Sequence, residues 1–102
     1  MIDDGLRPIV TEFIVEMLND PRCESVLLDV GEDAMVDSDL TVLYLDITGK
    51  HGDYILFIEG DEYSGSIRYA TGKTQMIVEG ETGACGLREL FDDFRTRLRE
   101  GN

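Results

Sequence analysis

The stretch LTVLYLDITGKHGDYILFIEGDEYSGSIRYATGKTQMIVE, residues 40–79, decides the fold. It divides into four strand-like runs. Leu40 to Thr48 is rich in β-branched and aromatic residues. Leu43, Leu45 and Ile47 fall on one of its faces, and Leu40, Val42 and Tyr44 on the other. Successive side chains of a strand point to opposite faces, so a run that is apolar on both reads as a central strand. Tyr54 to Glu59 is similar. In the third run Tyr63, Ile67 and Tyr69 alternate with Ser64, Ser66 and Arg68, the pattern of a half-buried strand. Gln75 to Glu79 is the last. The breaks between runs are Gly49-Lys50-His51-Gly52-Asp53, Gly60-Asp61-Glu62 and Thr71-Gly72-Lys73. Each is short and contains glycine, which predicts hairpins and an antiparallel sheet. None is long enough for the crossover helix that parallel strands require.

Working outward, Ser25 to Val30 is a short apolar run interrupted by Asp29, and reads as a fifth strand ahead of the other four. Before it, Leu6, Ile9, Val10, Phe13, Ile14, Met17 and Leu18 recur at spacings of three and four, which predicts an amphipathic helix over residues 6–19. Asp3 or Asp4 is the expected cap, and Pro8 fits only in the first turn. Asn19-Asp20-Pro21 ends the helix, because the residue before proline is pushed out of the α region. Glu12, Glu16 and Asp20 are four apart and line its solvent face. After the strands, Ala84, Leu87, Leu90, Phe91, Phe94 and Leu98 make the stripe of a second helix over 84–99, with Arg95, Arg97 and Arg99 placed to complement its dipole. The expected fold is a single α+β domain over residues 1–102, ordered α-β-β-β-β-β-α. An antiparallel sheet carries the N- and C-terminal helices on one face.

At 102 residues, 42% of them apolar, the chain is long enough for one modest core without disulfide or metal support. No run approaches the roughly 20 apolar residues of a membrane span. The Met-Ile-Asp-Asp start lacks the basic region and apolar run of a secretory signal, so a cytoplasmic location is expected. Cys23 and Cys85 are then expected as free thiols that pack as small apolar residues.

Charge is the strongest compositional signal. Twenty-two acids against nine bases leave −13, and the first 48 residues alone account for −10. Such a field repels nucleic acid and anionic membrane and attracts basic surfaces. Two plainer origins compete with a directed role. Negative charge promotes solubility, and seven Arg against two Lys beside abundant acids also fits a halophilic or GC-rich source.

Several constellations invite a chemical reading. Gly72-Lys73-Thr74 suggests a phosphate loop, but that motif needs a glycine where Ile67 stands and a helix where a strand-like run follows. It is expected to be a hairpin turn. His51, the single histidine, can be paired on paper with Cys85 or Cys23 as a nucleophilic dyad, yet nothing marks a third orienting group. Asp29, Glu32, Asp33, Asp37 and Asp39 cluster around the first hairpin without the spacing of a calcium loop, so at most weak divalent binding is expected there. The segment Gly31 to Asp39 sets Met35 and Val36 among acids. It reads equally as a solvated hairpin whose two apolar side chains fold inward, and as a binding tip with apolar anchors in an acidic rim.

No catalytic, cofactor-binding or metal residue is assigned, and the chain is expected to act by binding rather than as an enzyme. By size and charge alone it is similar to three groups. These are small acidic phage proteins of the anti-CRISPR and anti-defence type, immunity proteins against nuclease toxins, and small acidic chaperones of secreted effectors. The leading expectation is an inhibitor that mimics nucleic acid and occupies a basic surface of a nuclease or defence complex, with no direct binding of nucleic acid or membrane. The alternative is a dimeric scaffold or effector-chaperone-like protein that binds a partner through an apolar face. The expected contact residues are Glu12, Glu16, Asp20, Glu32, Asp33, Met35, Asp37 and Asp39.

Overall fold

The strand-like runs pair in the order in which they occur. The computed structural model describes residues 2–32 and 40–100. Its elements are α1 (Arg7–Leu18), β1 (Cys23–Glu32), β2 (Leu40–Gly49), β3 (Gly52–Glu59), β4 (Glu62–Tyr69), β5 (Thr74–Thr82) and α2 (Ala84–Glu100). The strands form one antiparallel sheet in the order β1-β2-β3-β4-β5. This is the expected α-β-β-β-β-β-α arrangement. Gly60 and Gly72 hold their turns at φ 64° and 95°, backbone that other residues rarely adopt. The Tyr69 N–H donates to the Lys73 carbonyl at 2.7 Å across the last turn, so Gly72-Lys73-Thr74 is the hairpin its context predicted.

Register decides which side of the sheet is interior. Leu43, Leu45 and Ile47 of β2, Tyr54, Leu56 and Ile58 of β3, and Tyr63 and Ile67 of β4 are all buried on one face. Both helices cover that face. α1 contributes Ile9, Val10, Phe13 and Met17, and α2 contributes Leu87, Leu90, Phe91, Phe94 and Leu98. Phe13 and Phe91 stack at 4.0 Å between ring centroids and 2° between planes. Phe94 tilts against both and against Tyr54, so an aromatic cluster joins helix to helix and helix to sheet. Gly65 and Gly86 let the layers close. A Cβ on Gly65 would meet the Leu90 methyls, and one on Gly86 would meet the Tyr63 hydroxyl.

Two expectations about the first helix need correction. Leu6 occupies the N-cap position of α1, and no side chain caps it. Asp3 instead sits in the preceding turn, where its carbonyl accepts the Leu6 N–H and its own N–H donates to the Gly60 carbonyl, each at 3.0 Å. The N-terminal segment is thereby tied to the β3–β4 turn, and Ile2 is buried. The apolar stripe of α1 is also narrower than its spacing suggested. Ile14 is half-buried and Leu18, the last helical residue, is 66% exposed.

The opposite face of the sheet carries no helix among the described residues. It presents Leu27, Tyr44, Asp46, Ile55, Phe57, Ser66, Arg68 and Met76. The second apolar face of β2 lies here, where Val42 and Tyr44 are half-buried.

Candidate functional site at the free edge beside the first helix

β1 is an edge strand, and its pairing register sorts its side chains. Val26, Leu28 and Val30 lie opposite Ile47, Leu45 and Leu43, so they share the helix-covered face. Leu27 and Asp29 lie opposite Asp46 and Tyr44, on the open face. Pairing with β2 is unbroken from Ser25 to Gly31, and register shifts occur only at the two ends of the strand. Between those shifts, every second residue points its N–H and C=O away from β2. Among the described residues nothing pairs with that outer row.

The apolar side chains of this edge are poorly covered. Leu27 is 58% exposed, Leu28 47% and Val30 50%. On neighbouring α1, Val15 and Leu18 are exposed too. Leu28 and Val30 line a groove of about 190 Å³ together with Val10, Thr11 and Ile14 of α1, and with Leu43, Ile2 and Arg7. Drug-sized ligands use pockets of roughly 300–1,000 Å³, so this groove suits a side chain rather than a small molecule. β1 carries Glu24, Asp29 and Glu32 and no base. Neither Glu24 nor Asp29 forms an ion pair among the described residues.

The acids expected to make contact fare differently from one another. Glu12 is exposed and lies by Arg88, Asp92 and Arg95 in a cleft between the helices. Glu16 is tied to α2. Its Oε2 accepts from Arg95 Nε at 2.7 Å, and the same guanidinium lies 5.2 Å from the Phe13 ring centre. Asp20 accepts the Arg22 N–H at 2.8 Å and so fixes the turn into β1. Glu32 ends β1, and Asp33, Met35, Asp37 and Asp39 lie outside the described residues. Sequence reasoning missed Leu27, Leu28 and Val30. The run Val26-Leu27-Leu28 was the available signal, since it is apolar on both faces of a strand that ends a meander.

Asp46 was also not anticipated. It is 8% exposed, in the middle of the open face, and its Oδ1 has no hydrogen-bond partner. Its Oδ2 accepts from Arg68 at 3.2 Å, while Arg68 donates to Asp53 at 2.6 Å. Burial pushes the Asp46 carboxyl above the usual carboxylate range, the Asp53 charge adds to the shift, and Arg68 opposes it.

A depression of about 530 Å³ lies at the C-terminal end of α2. Its lining mixes Arg22, Lys50 and Arg99 with Glu24 and Glu100, and includes His51. Small-molecule sites are mostly apolar, so this mixed rim does not resemble one. The placement of His51 also bears on the paper dyad. Cys85 stands at the opposite end of α2, 14 residues from Arg99, or about 21 Å at 1.5 Å per residue. Cys23 donates its thiol hydrogen to the Ser25 carbonyl at 3.3 Å, and burial raises its pKa, the reverse of what a nucleophile needs. Among the described residues no three His, Cys, Asp or Glu side chains gather to hold a metal ion. No helix among them is long and apolar enough to cross a membrane. Comparison with protein-family models, curated proteins and solved structures finds no match.

Proposed function

We propose that this protein is a binding module without catalytic activity of its own, which takes a basic segment of a partner protein on its β1 side. One observation carries the reading: of the seven large exposed apolar side chains among the described residues, five lie on α1 and β1, namely Val15, Leu18, Leu27, Leu28 and Val30. Apolar surface collected on neighbouring elements marks an interaction surface more often than scattered single residues do. Glu24 and Asp29 of β1, which form no ion pair among the described residues, supply the sign of the partner. Of the two classes expected from the sequence, this favours the scaffold or effector-chaperone type, in which apolar docking provides the affinity and charge guides the approach.

Charge mimicry by an inhibitor is the second reading. It is supported by the −10 carried in the first 48 residues. Its weakest point is α1 and the turn after it, where Glu16 is already bonded to Arg95 and Asp20 to the backbone of Arg22. Salt separates the two. The wild-type protein and a Leu28→Ser/Val30→Ser variant are used to capture partners from the native host, and each partner is then purified and titrated at low and high salt. The first reading expects binding that the apolar variant loses and that survives ~0.5 M salt, where the Debye length is only a few ångströms. A partner that binds the variant as well as the wild type, and dissociates steeply with salt, favours mimicry and overturns the first reading.

A further inference from the structure

We propose that the partner segment binds as an added strand on the free edge of β1, and that it is an extended stretch alternating apolar and basic residues. The inference rests on the binding-module reading and adds to it the mode of docking and the chemistry of the occupant.

Three features lead to this occupant. First, the unbroken stretch from Ser25 to Gly31 offers an outward row of backbone donors and acceptors that an incoming chain can complete. Natural edges of this length are usually guarded by lysine, proline or bulges within the strand, and residues 25–31 contain none of these. Second, the two faces of the edge ask for different side chains. A strand laid beside β1 places every other residue on the helix side, next to Leu28, Val30 and the groove under Ile14. The intervening residues fall on the open face, next to Leu27 and Asp29. Cross-strand neighbours stabilise a sheet when apolar meets apolar and charges are opposite, so the helix-side positions call for aliphatic residues and the open-side positions for Arg or Lys. Third, charge argues against a second copy of this chain. Two β1 strands pairing with each other would bring together Glu24, Asp29 and Glu32 from each copy with no compensating base, in molecules of −13 apiece.

The test uses a capped nine-residue peptide of alternating valine and arginine, a version N-methylated on the valines, a version N-methylated on the arginines, and an alternating valine–glutamate control. N-methylation keeps charge and apolar surface but removes the donors of one strand edge. The valine–arginine peptide is expected to bind, to slow amide hydrogen exchange in residues 25–31 and to leave β5 unchanged. One of the two N-methylated peptides should bind at least about tenfold more weakly, since several backbone bonds are lost together. The Leu28→Ser/Val30→Ser variant, with its fold verified by circular dichroism, should weaken the parent peptide to a similar extent. Equal binding of all three basic peptides, with that variant still defective, overturns strand addition and leaves the binding-module reading standing. Unimpaired binding of the peptide by the variant, or no binding to the wild type, overturns both. A dimer in sedimentation equilibrium with residues 25–31 already protected would replace the basic segment with a second copy and also overturns the proposal.

Discussion

The sheet has two edges, and they are finished in opposite ways. β5 departs from regular pairing twice. Gly65 pairs with Val78 and Ser66 with Met76, which leaves Ile77 as an extra residue, and a second shift falls between Tyr63 and Gly65. These bulges turn both Ile77 and Val78 toward the core, while Gly80 adopts φ 65° and Glu79 and Glu81 stay exposed. A twisted, bulged and acidic edge is a poor template for another strand. β1 keeps its irregularities at its ends and is straight and aliphatic between them. The same sheet therefore has one irregular edge and one regularly paired edge, and the proposed docking uses the second. Inside that irregular edge, Leu90 of α2 is seated against Gly65 of β4.

The contrast can be broken outright or measured. The largest effect is expected at the stack that holds both helices over the sheet. Phe13→Ala removes a fully buried ring from Phe91 and should destabilise by about 3–5 kcal/mol, enough to unfold a marginal domain in chemical denaturation. Paired truncations then compare the sides directly. Leu90→Ala, on the closed side, should cost about 2–4 kcal/mol. Leu28→Ala, on the open side, should cost about 1 kcal/mol or less because the side chain is already half in water. Urea midpoints with unchanged slopes would establish the difference, and equal costs would mean that β1 is not a free edge in solution. Gly80→Ala tests the guard on β5. An L-residue at that positive φ should lose about 1–2 kcal/mol without a steric clash, since nothing lies within 4 Å of the added carbon.

The smallest effect is a pH dependence on the open face, where Asp46 lies across from Leu27. A carboxyl whose folded pKa is raised contributes its full stability below the unfolded value and loses it as pH rises through the folded one. Asp46→Asn should therefore be no more stable than wild type near pH 3.5 and up to about 1 kcal/mol more stable at pH 7. Thermal melts across that range check it, and a variant that is less stable at pH 7 would show that the Arg68 bond outweighs desolvation.

The same contrast explains what could be read from the sequence. Hairpin breaks, both helical stripes and strand order were legible because tight turns force neighbours in sequence to be neighbours in the sheet. The central position of β2 followed from apolar residues on both its faces. The proposed interaction surface was not legible, because Leu27, Leu28 and Val30 look like core residues to any count of hydrophobicity. Only the register, which puts Leu27 on the open face, and the partial cover that α1 gives Leu28 and Val30 reveal them as exposed. Charge misled in the other direction. Glu16 and Asp20 belong to a solvent-facing stripe by spacing, yet each is bonded within the fold. Asp46 escaped notice because a single acid in a strand gives no sign of which face it is on until the register is known.

The order β1-β2-β3-β4-β5 also sets how the chain finds its structure. Each hairpin forms from adjacent runs, so most pairing closes short loops, which is the topology associated with rapid folding for a sheet protein. The longest closures join the two helices, as where Phe13 meets Phe91 across the whole meander. That closure confines the most entropy, so it belongs late, after the strands have registered. Until it happens β1 lacks its helix, and the newly made chain exposes the same aliphatic edge more widely. Like charges along β1 repel those of another copy, which disfavours edge-to-edge joining at that stage.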